Sequence, residues 1–206
     1  MGAIRTPRAH WIEEGLRALA AGGPEAVRVE VLAQALGVSK GGFYGYFRNR
    51  AALLDEMLDT WERGVTEEVI ERIERDGGDA RERLGRLFDV VGSADTPVTA
   101  AGVELAVRDW ARRDEEVAGR LRRADNRRMD YLRALYGAFC PDEDDVEARC
   151  LITFSLRIGD HLIAADNGPR PRSEVLAAVR ERLLTRPGLP EDTAARPPEP
   201  ARAPSG

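Results

Sequence analysis

A chain of 206 residues with 43% hydrophobic side chains can bury a real core, and no stretch approaches the roughly 20 uninterrupted apolar residues of a membrane span. No apolar run follows Arg5 and Arg8 as it would in a signal peptide, and Cys140 and Cys150 are too few for a disulfide framework or zinc cluster; a cytoplasmic protein without metal or other cofactor is expected. The net charge of −5 counts against nucleic acid until it is divided, because residues 1–50 hold seven Lys or Arg against four acids, a balance of +3, which leaves −8 for the remainder.

In chain order, Thr6-Pro7 reads as a cap followed by proline at the first helical position, opening a helix striped by Ile12, Leu16, Leu19 and Ala20 and stopped by Gly22-Gly23-Pro24. Val29, Leu32, Ala33 and Leu36 repeat at helical spacing and predict a short second helix ending at Gly37. Arg28 stands where that helix needs a cap, a loss of about 1 kcal/mol that a phosphate contact would partly recover. Ser39 is a good cap for a third helix from Lys40, with Phe43 and Phe47 on its inner face. Lys40, Tyr44 and Tyr46 then remain outside as a charge and two hydroxyl donors suited to phosphate, and Gly41, Gly42 and Gly45 let the surface approach a groove closely.

Asn49 is expected to cap a long helix from Arg50 through Leu53, Leu54, Met57, Leu58, Trp61 and Val65 to Ile73, about six turns before Gly77-Gly78. Two short helices joined by Gly37-Val38-Ser39 read as helix-turn-helix. Leu36, Gly37, Val38, Ser39, Gly42, Phe43, Tyr44, Tyr46 and Phe47, followed by Asn49-Arg50 and Leu53-Leu54, resemble the motif of the TetR family of bacterial transcriptional regulators. The resemblance is specific over about fifty N-terminal residues and general beyond them.

It implies an all-α protein: a three-helix DNA-binding domain over 1–50, an antiparallel helical bundle over 51–186 for ligand binding and dimerisation, and a proline-rich disordered tail over 187–206. It also implies that Thr6 and Arg8 lie near the DNA backbone. With Arg28, Ser39, Lys40, Gly41, Gly42, Tyr44, Gly45, Tyr46 and Arg50 they form the expected DNA-contact set. The partners implied are a palindromic double-stranded operator, a second copy of the chain and a small-molecule effector that releases the repressor.

In the body, Asp79 with Glu82 makes a capping box for a helix striped by Ala80, Leu84, Leu87, Phe88 and Val91. Thr96-Pro97 opens a segment with Val103, Ala106, Val107 and Trp110 inward, and Asp114 starts a longer helix carrying Val117, Leu121, Leu132, Leu135 and Tyr136. A further helix is expected over 146–165, stopped by Asn167-Gly168-Pro169, and Ser173 caps a last one. No strand is predicted.

Trp61, Phe88, Glu104, Arg108, Trp110, Tyr131 and Phe154 combine charge with aromatic surface, as a pocket for a partly apolar ligand would, though each serves equally well as plain core. Leu151, Phe154, Ile158 and Leu162, with Val175, Val179 and Leu183, form two stripes from which a four-helix dimer interface is expected. Asp142, Glu143, Asp144 and Asp145 resemble the acidic runs by which some helical enzymes hold magnesium, but no facing acidic cluster accompanies them, and acids are favoured at a helix N-terminus without any metal. A metal-dependent helical enzyme is therefore the alternative from another class, and a DNA binder without ligand a third. His161, near Arg157 and Asp160, has no nucleophile with a motif beside it and reads as a packed or interfacial side chain.

Overall fold

Trp11 stands where the first helix meets everything else in the N-terminal half, and the computed structural model, which describes residues 7–92, Thr96 and 98–185, buries it completely. Helix α1 (Arg8–Gly22) has Pro7 at its N-cap position, so the helix starts one residue later than expected; Thr6 lies outside the described residues. Its inner face is Trp11, Gly15, Leu16 and Leu19, whereas Ile12 is half-buried and Ala20 exposed. The stripe is set this way because α1 crosses its neighbour tightly at Gly15, where an added Cβ would stand 2.6 Å from Met57 Sδ.

Helix α2 (Val29–Ala35) buries Val29, Leu32 and Ala33 and stops in a Schellman motif. The Val38 amide donates to Ala33 O (2.9 Å) and the Gly37 amide to Gln34 O (3.1 Å), with Gly37 at φ 68°, a conformation that costs glycine nothing. Helix α3 (Lys40–Tyr44) begins after Ser39, whose backbone takes the extended N-cap shape but whose hydroxyl makes no cap bond, contrary to expectation. With glycines at two of its five positions it is held by its aromatic packing. Phe43 and Phe47 stack at 5.1 Å and Trp11 meets Phe43 edge-on at 5.4 Å.

Helix α4 (Arg50–Val65) is capped as expected, Asn49 Oδ1 accepting from the Ala52 amide at 2.9 Å. The single long helix to Ile73 does not form. The chain breaks at Thr66 (φ −120°, ψ −90°) and restarts as α5 (Glu67–Arg75). The cause is local: buried Thr66 sends its hydroxyl to Glu62 O at 2.5 Å, the carbonyl its own amide would bond in a continuous helix, and that amide falls back to Arg63 O at 3.3 Å. Glu68, one turn further on, pairs with Arg63 at 2.8 Å across the break.

The capping box of α6 (Ala80–Gly92) forms as read, with the Glu82 and Arg81 amides donating to Asp79 and the Asp79 amide to Glu82, all at 2.9 Å. Helices α7 (Ala101–Ala111), α8 (Glu115–Gly137), α9 (Glu143–Gly159) and α10 (Arg172–Leu184) complete the order, and no strand occurs among the described residues. Helix α9 ends at Gly159 instead of Ala165. Arg172 holds the turn that follows, reaching Asp160 Oδ1 (2.6 Å) and Ala165 O (3.3 Å), while the Leu162 and Ile163 amides fold back onto Gly159 O. Pro171, with φ preset near the helical value, takes the N-cap position of α10 and moves Ser173 inside it. The tail over 187–206 lies outside the described residues.

Two apolar clusters result. The first runs from Trp11, Phe43 and Phe47 through Met57 and Trp61 to Val103, Val107, Val117 and Ala124, so it crosses residue 50 without interruption. The second gathers Leu84, Leu132, Leu135, Tyr136, Cys140, Val146 and Cys150. Both cysteines are unpaired and buried, and burial pushes the Cys150 thiol up to about 11. Because Trp11 touches the recognition aromatics and has no exposed surface, Trp11→Ala should cost about 3 to 5 kcal/mol of stability, read as a lowered urea midpoint. A midpoint within 0.5 kcal/mol of wild type, on the order of a neutral surface change, would contradict this packing.

Candidate DNA-binding surface and body cavity

From α2 to α3 the outward residues are small, basic or hydroxylated. Arg28, Ser39, Lys40, Gly41, Gly42 and Gly45 are exposed, Tyr44 is 57% exposed, and Tyr46 is half-buried against the first cluster. Gly41 and Gly42 have ordinary negative φ, and a Cβ on either would meet its nearest neighbour at 3.7 and 3.8 Å. The fold therefore does not require glycine there, although each costs roughly 0.8 to 1 kcal/mol of helix stability. What the missing side chains leave is backbone open to an outside partner.

Two arginines expected on this surface are differently placed. Arg50 turns inward, donating from Nε to Val27 O at 2.6 Å and from Nη2 to Pro24 O, because the start of α4 sits against the turn between α1 and α2. It ties backbone together. Arg8 lies over the Phe47 ring at 5.1 Å and pairs with Glu56 of α4, which sews α1 to α4. Lys40 is exposed but pairs with Glu30 of α2; the hydrogen bond between them raises the lysine pKa and lowers that of the glutamate.

The body holds a cavity of about 430 Å³ bounded by α5, α6, α8, α9 and α10. Its exposed wall is mostly apolar, with Val69, Ile70, Leu87, Leu156 and Leu176 among the lining residues, and the Val65-Thr66 break forms part of it. Phe88, Glu104, Tyr131 and Phe154 line it as the sequence suggested. Trp61 and Trp110 do not: both belong to the first cluster, Trp61 with no exposed surface. They were misplaced because an aromatic stripe has the same spacing in a core as in a pocket. Arg108 stands behind the lining.

What the sequence did not show is how the ionic wall comes together, with Arg128, Asp125 and Arg180 unmarked in it. Glu104 is only 6% exposed and receives Arg108 at 2.7 Å and both terminal nitrogens of Arg128 at 3.1 and 3.3 Å. Arg108 also grips Asp125 with two bonds of 2.9 and 3.0 Å. Burial alone would raise the Glu104 pKa, but Arg128 and Arg108 outweigh it and hold the carboxyl below its usual range. Arg128 lies 5.7 Å from both the Trp61 and Phe154 rings, so one guanidinium touches the first cluster on one side and the cavity on the other. Arg157, Asp160 and Arg180 also line the cavity. Glu104 with Arg108 and Asp125 with Arg128 have helical pair spacing, but no local spacing announces that residues of four helices meet at one wall.

Residues 12–57, which span α1 to the middle of α4, match the model of the bacterial regulatory proteins of the tetR family. The head is that of a TetR-family regulator. Among solved structures, thirteen chains match; one is a TetR family transcriptional regulator, PfmR, from Thermus thermophilus, 22% identical over 84% of this chain and 96% of that one, with a TM-score of 0.56. At that identity the likeness speaks for the fold alone. No curated protein matches.

The family match supports a DNA-binding regulator, and the acidic run that suggested a metal-dependent enzyme has local duties. Asp142 caps α9 by accepting from the Asp144 amide at 2.9 Å, and Asp145 pairs with Arg149 at 2.8 Å. Arg149 in turn donates to Leu183 O and Thr185 O, closing the end of α10. No three metal-ligating side chains converge among the described residues.

Of the expected dimer stripes, Leu151 and Leu162 face outward, Ile158, Val175 and Val179 are half-buried, and two side chains point inward. Phe154 belongs to the cavity, and Leu183 is buried, since Arg149 draws the end of α10 onto α9. The exposed apolar residues that the stripe missed are Ile152 and Ile163.

Lys40→Ala should weaken DNA binding and flatten the slope of log affinity against log salt by about 0.9, the share of one phosphate contact. An unchanged slope would remove Lys40 from the DNA surface. Glu104→Gln leaves two guanidiniums short of one buried charge and should cost about 3 kcal/mol near pH 7. Since the folded pKa of Glu104 is depressed, its contribution is complete above the usual carboxylate range and fades as pH falls through the folded value. Thermal melts of wild type and variant should therefore converge only in acid; a constant gap from neutral to acid pH would contradict the assignment.

Proposed function

We propose that the protein is a cytoplasmic homodimeric repressor whose two heads enter successive major grooves of a palindromic operator, and that a small molecule in the body cavity releases it. Residues 1–50 serve as the reading head and 51–186 as the ligand-binding and dimerising body. Arg28, Ser39, Lys40, Gly41, Gly42, Tyr44, Gly45 and Tyr46 form the contact surface, Lys40 exchanging Glu30 for phosphate on binding. Arg50 acts behind that surface, by fixing α4 to the backbone of the turn between α1 and α2.

The observation that carries the reading is the place of the cavity. Its wall includes Val65 and Thr66, where the helix from the head breaks, and Arg128, which rests on Trp61. Arg120 and Arg123 of α8 bind Asp59 and Glu62 of α4, so a change in the packing of α8 is passed to the helix that aims the head. A ligand moves the head only by as much as it favours one arrangement over the other, and about 1 to 3 kcal/mol is enough for useful release.

The second copy is expected against α9 and the turn that follows it, where Leu151, Ile152, Leu162 and Ile163 are 62%, 50%, 64% and 54% exposed. Apolar side chains this open favour a covered face. Mobility-shift titration with the DNA flanking the protein's own gene should give one sharp complex with wild type. Leu151→Glu combined with Leu162→Glu should sediment as a monomer and lose that complex, each head alone holding half a site. A dimer that survives both charges places the interface elsewhere, and the absence of any shift with wild type removes the repressor reading.

A further inference from the structure

Among the described residues, five arginines stand in the cavity wall or pair with its carboxylates, at positions 108, 128, 157, 172 and 180, and they differ in whether a carboxylate meets them. Arg108 and Arg128 are taken up by Glu104 and Asp125, Arg172 by Asp160, and Arg180 by Asp89. Arg157 is left. Its Nη1 shares a 2.7 Å hydrogen bond with His161 Nε2 and its Nη2 reaches Thr99 O at 3.4 Å, neither of them a carboxylate. No carboxylate lies within ion-pair distance of it among the described residues.

Burial pulls the Arg157 pKa below the ordinary arginine value, with Glu104 and Asp160 opposing from beyond ion-pair distance and Arg128 and Arg108 adding to the fall. A guanidinium is not deprotonated at neutral pH, so the cavity carries a standing positive charge beside Leu156, Leu176 and Phe88. An unmatched charge against apolar surface is unfavourable until an anion meets it, and arginine can meet a carboxylate with two parallel bonds.

We propose that the effector is an amphipathic monocarboxylate, its carboxylate on Arg157 and its apolar body along the apolar wall of the cavity. The inference rests on the cavity being the effector site. One unpaired guanidinium suits one negative charge; a phosphate monoester, with nearly two, would leave part of its own charge buried without a partner, and an ammonium head would be repelled.

The test compares four molecules with the same ten-carbon chain, decanoate, 1-decanol, decylammonium and decyl phosphate, titrated calorimetrically into the full chain at one pH and salt concentration. Decanoate should bind best, by about tenfold or more over decanol, the worth of a hydrogen bond to a charged group. Arg157→Gln should bring decanoate down to the level of decanol and leave decanol within about twofold, which also shows the variant's cavity to be intact.

Decanol equal to decanoate in the wild-type protein, or tighter binding of decylammonium or decyl phosphate, would overturn the anion inference while leaving a ligand cavity. No heat with any of the four would overturn the inference and the effector reading together. If Arg157→Gln fails to fold, the order of the four heads on the unaltered protein decides the matter, since it needs no variant.

Discussion

Glu104 is a buried charge on α7, and much of the body is arranged to keep it satisfied. A lone carboxylate at that depth would take up a proton or disrupt the helix, so α8 brings Arg128 across to it and α7 turns back Arg108, which Asp125 then balances. The cluster fixes how α7 and α8 lie on each other. It also fixes Arg128, which carries the aromatic contact from the first apolar cluster to the edge of the cavity. The favourable pairing and the cost of dehydrating it are of similar size, so its effect is on which arrangement forms more than on how stable that arrangement is.

The head meets the opposite constraint. Its recognition helix is five residues long, contains two glycines and has no side-chain cap, so it has almost no stability of its own. Trp11, Phe43 and Phe47 supply it from beneath, leaving the outer face free of structural duty. Lys40 and Glu30 pair with each other there, an exposed ion pair of small worth.

Several of the local determinants were displayed by the sequence. The Phe43 and Phe47 stripe, the glycine that turns α2 into α3, the Asn49 cap and the Asp79–Glu82 box each depend on residues within a few positions of one another, and each took its expected place. The break at Thr66 escaped because Val65 and Ile73 keep apolar spacing across it, and only a threonine hydroxyl turned onto the preceding turn decides against continuity. Trp11 was overlooked because an apolar stripe with several admissible rotations does not say which one a close crossing at Gly15 will select. The cavity arginines depend on four helices meeting, and Arg50 on a carbonyl 23 residues away in sequence. Contacts of that kind are written in the fold and not in any window of the chain.

The first apolar cluster carries one more implication, for anyone who would exchange the heads of such regulators. A cut at residue 50 would divide Trp11, Phe43 and Phe47 from Met57, Leu58 and Trp61, and would strip α1 of the face of α7 that covers it, where an added Cβ on Gly102 would lie 3.2 Å from Ala20 Cβ. A cooperative unit is delimited by its shared buried surface and not by the limits of its recognition motif. A hybrid protein that is to inherit this head must inherit α4 and the inner face of α7 with it.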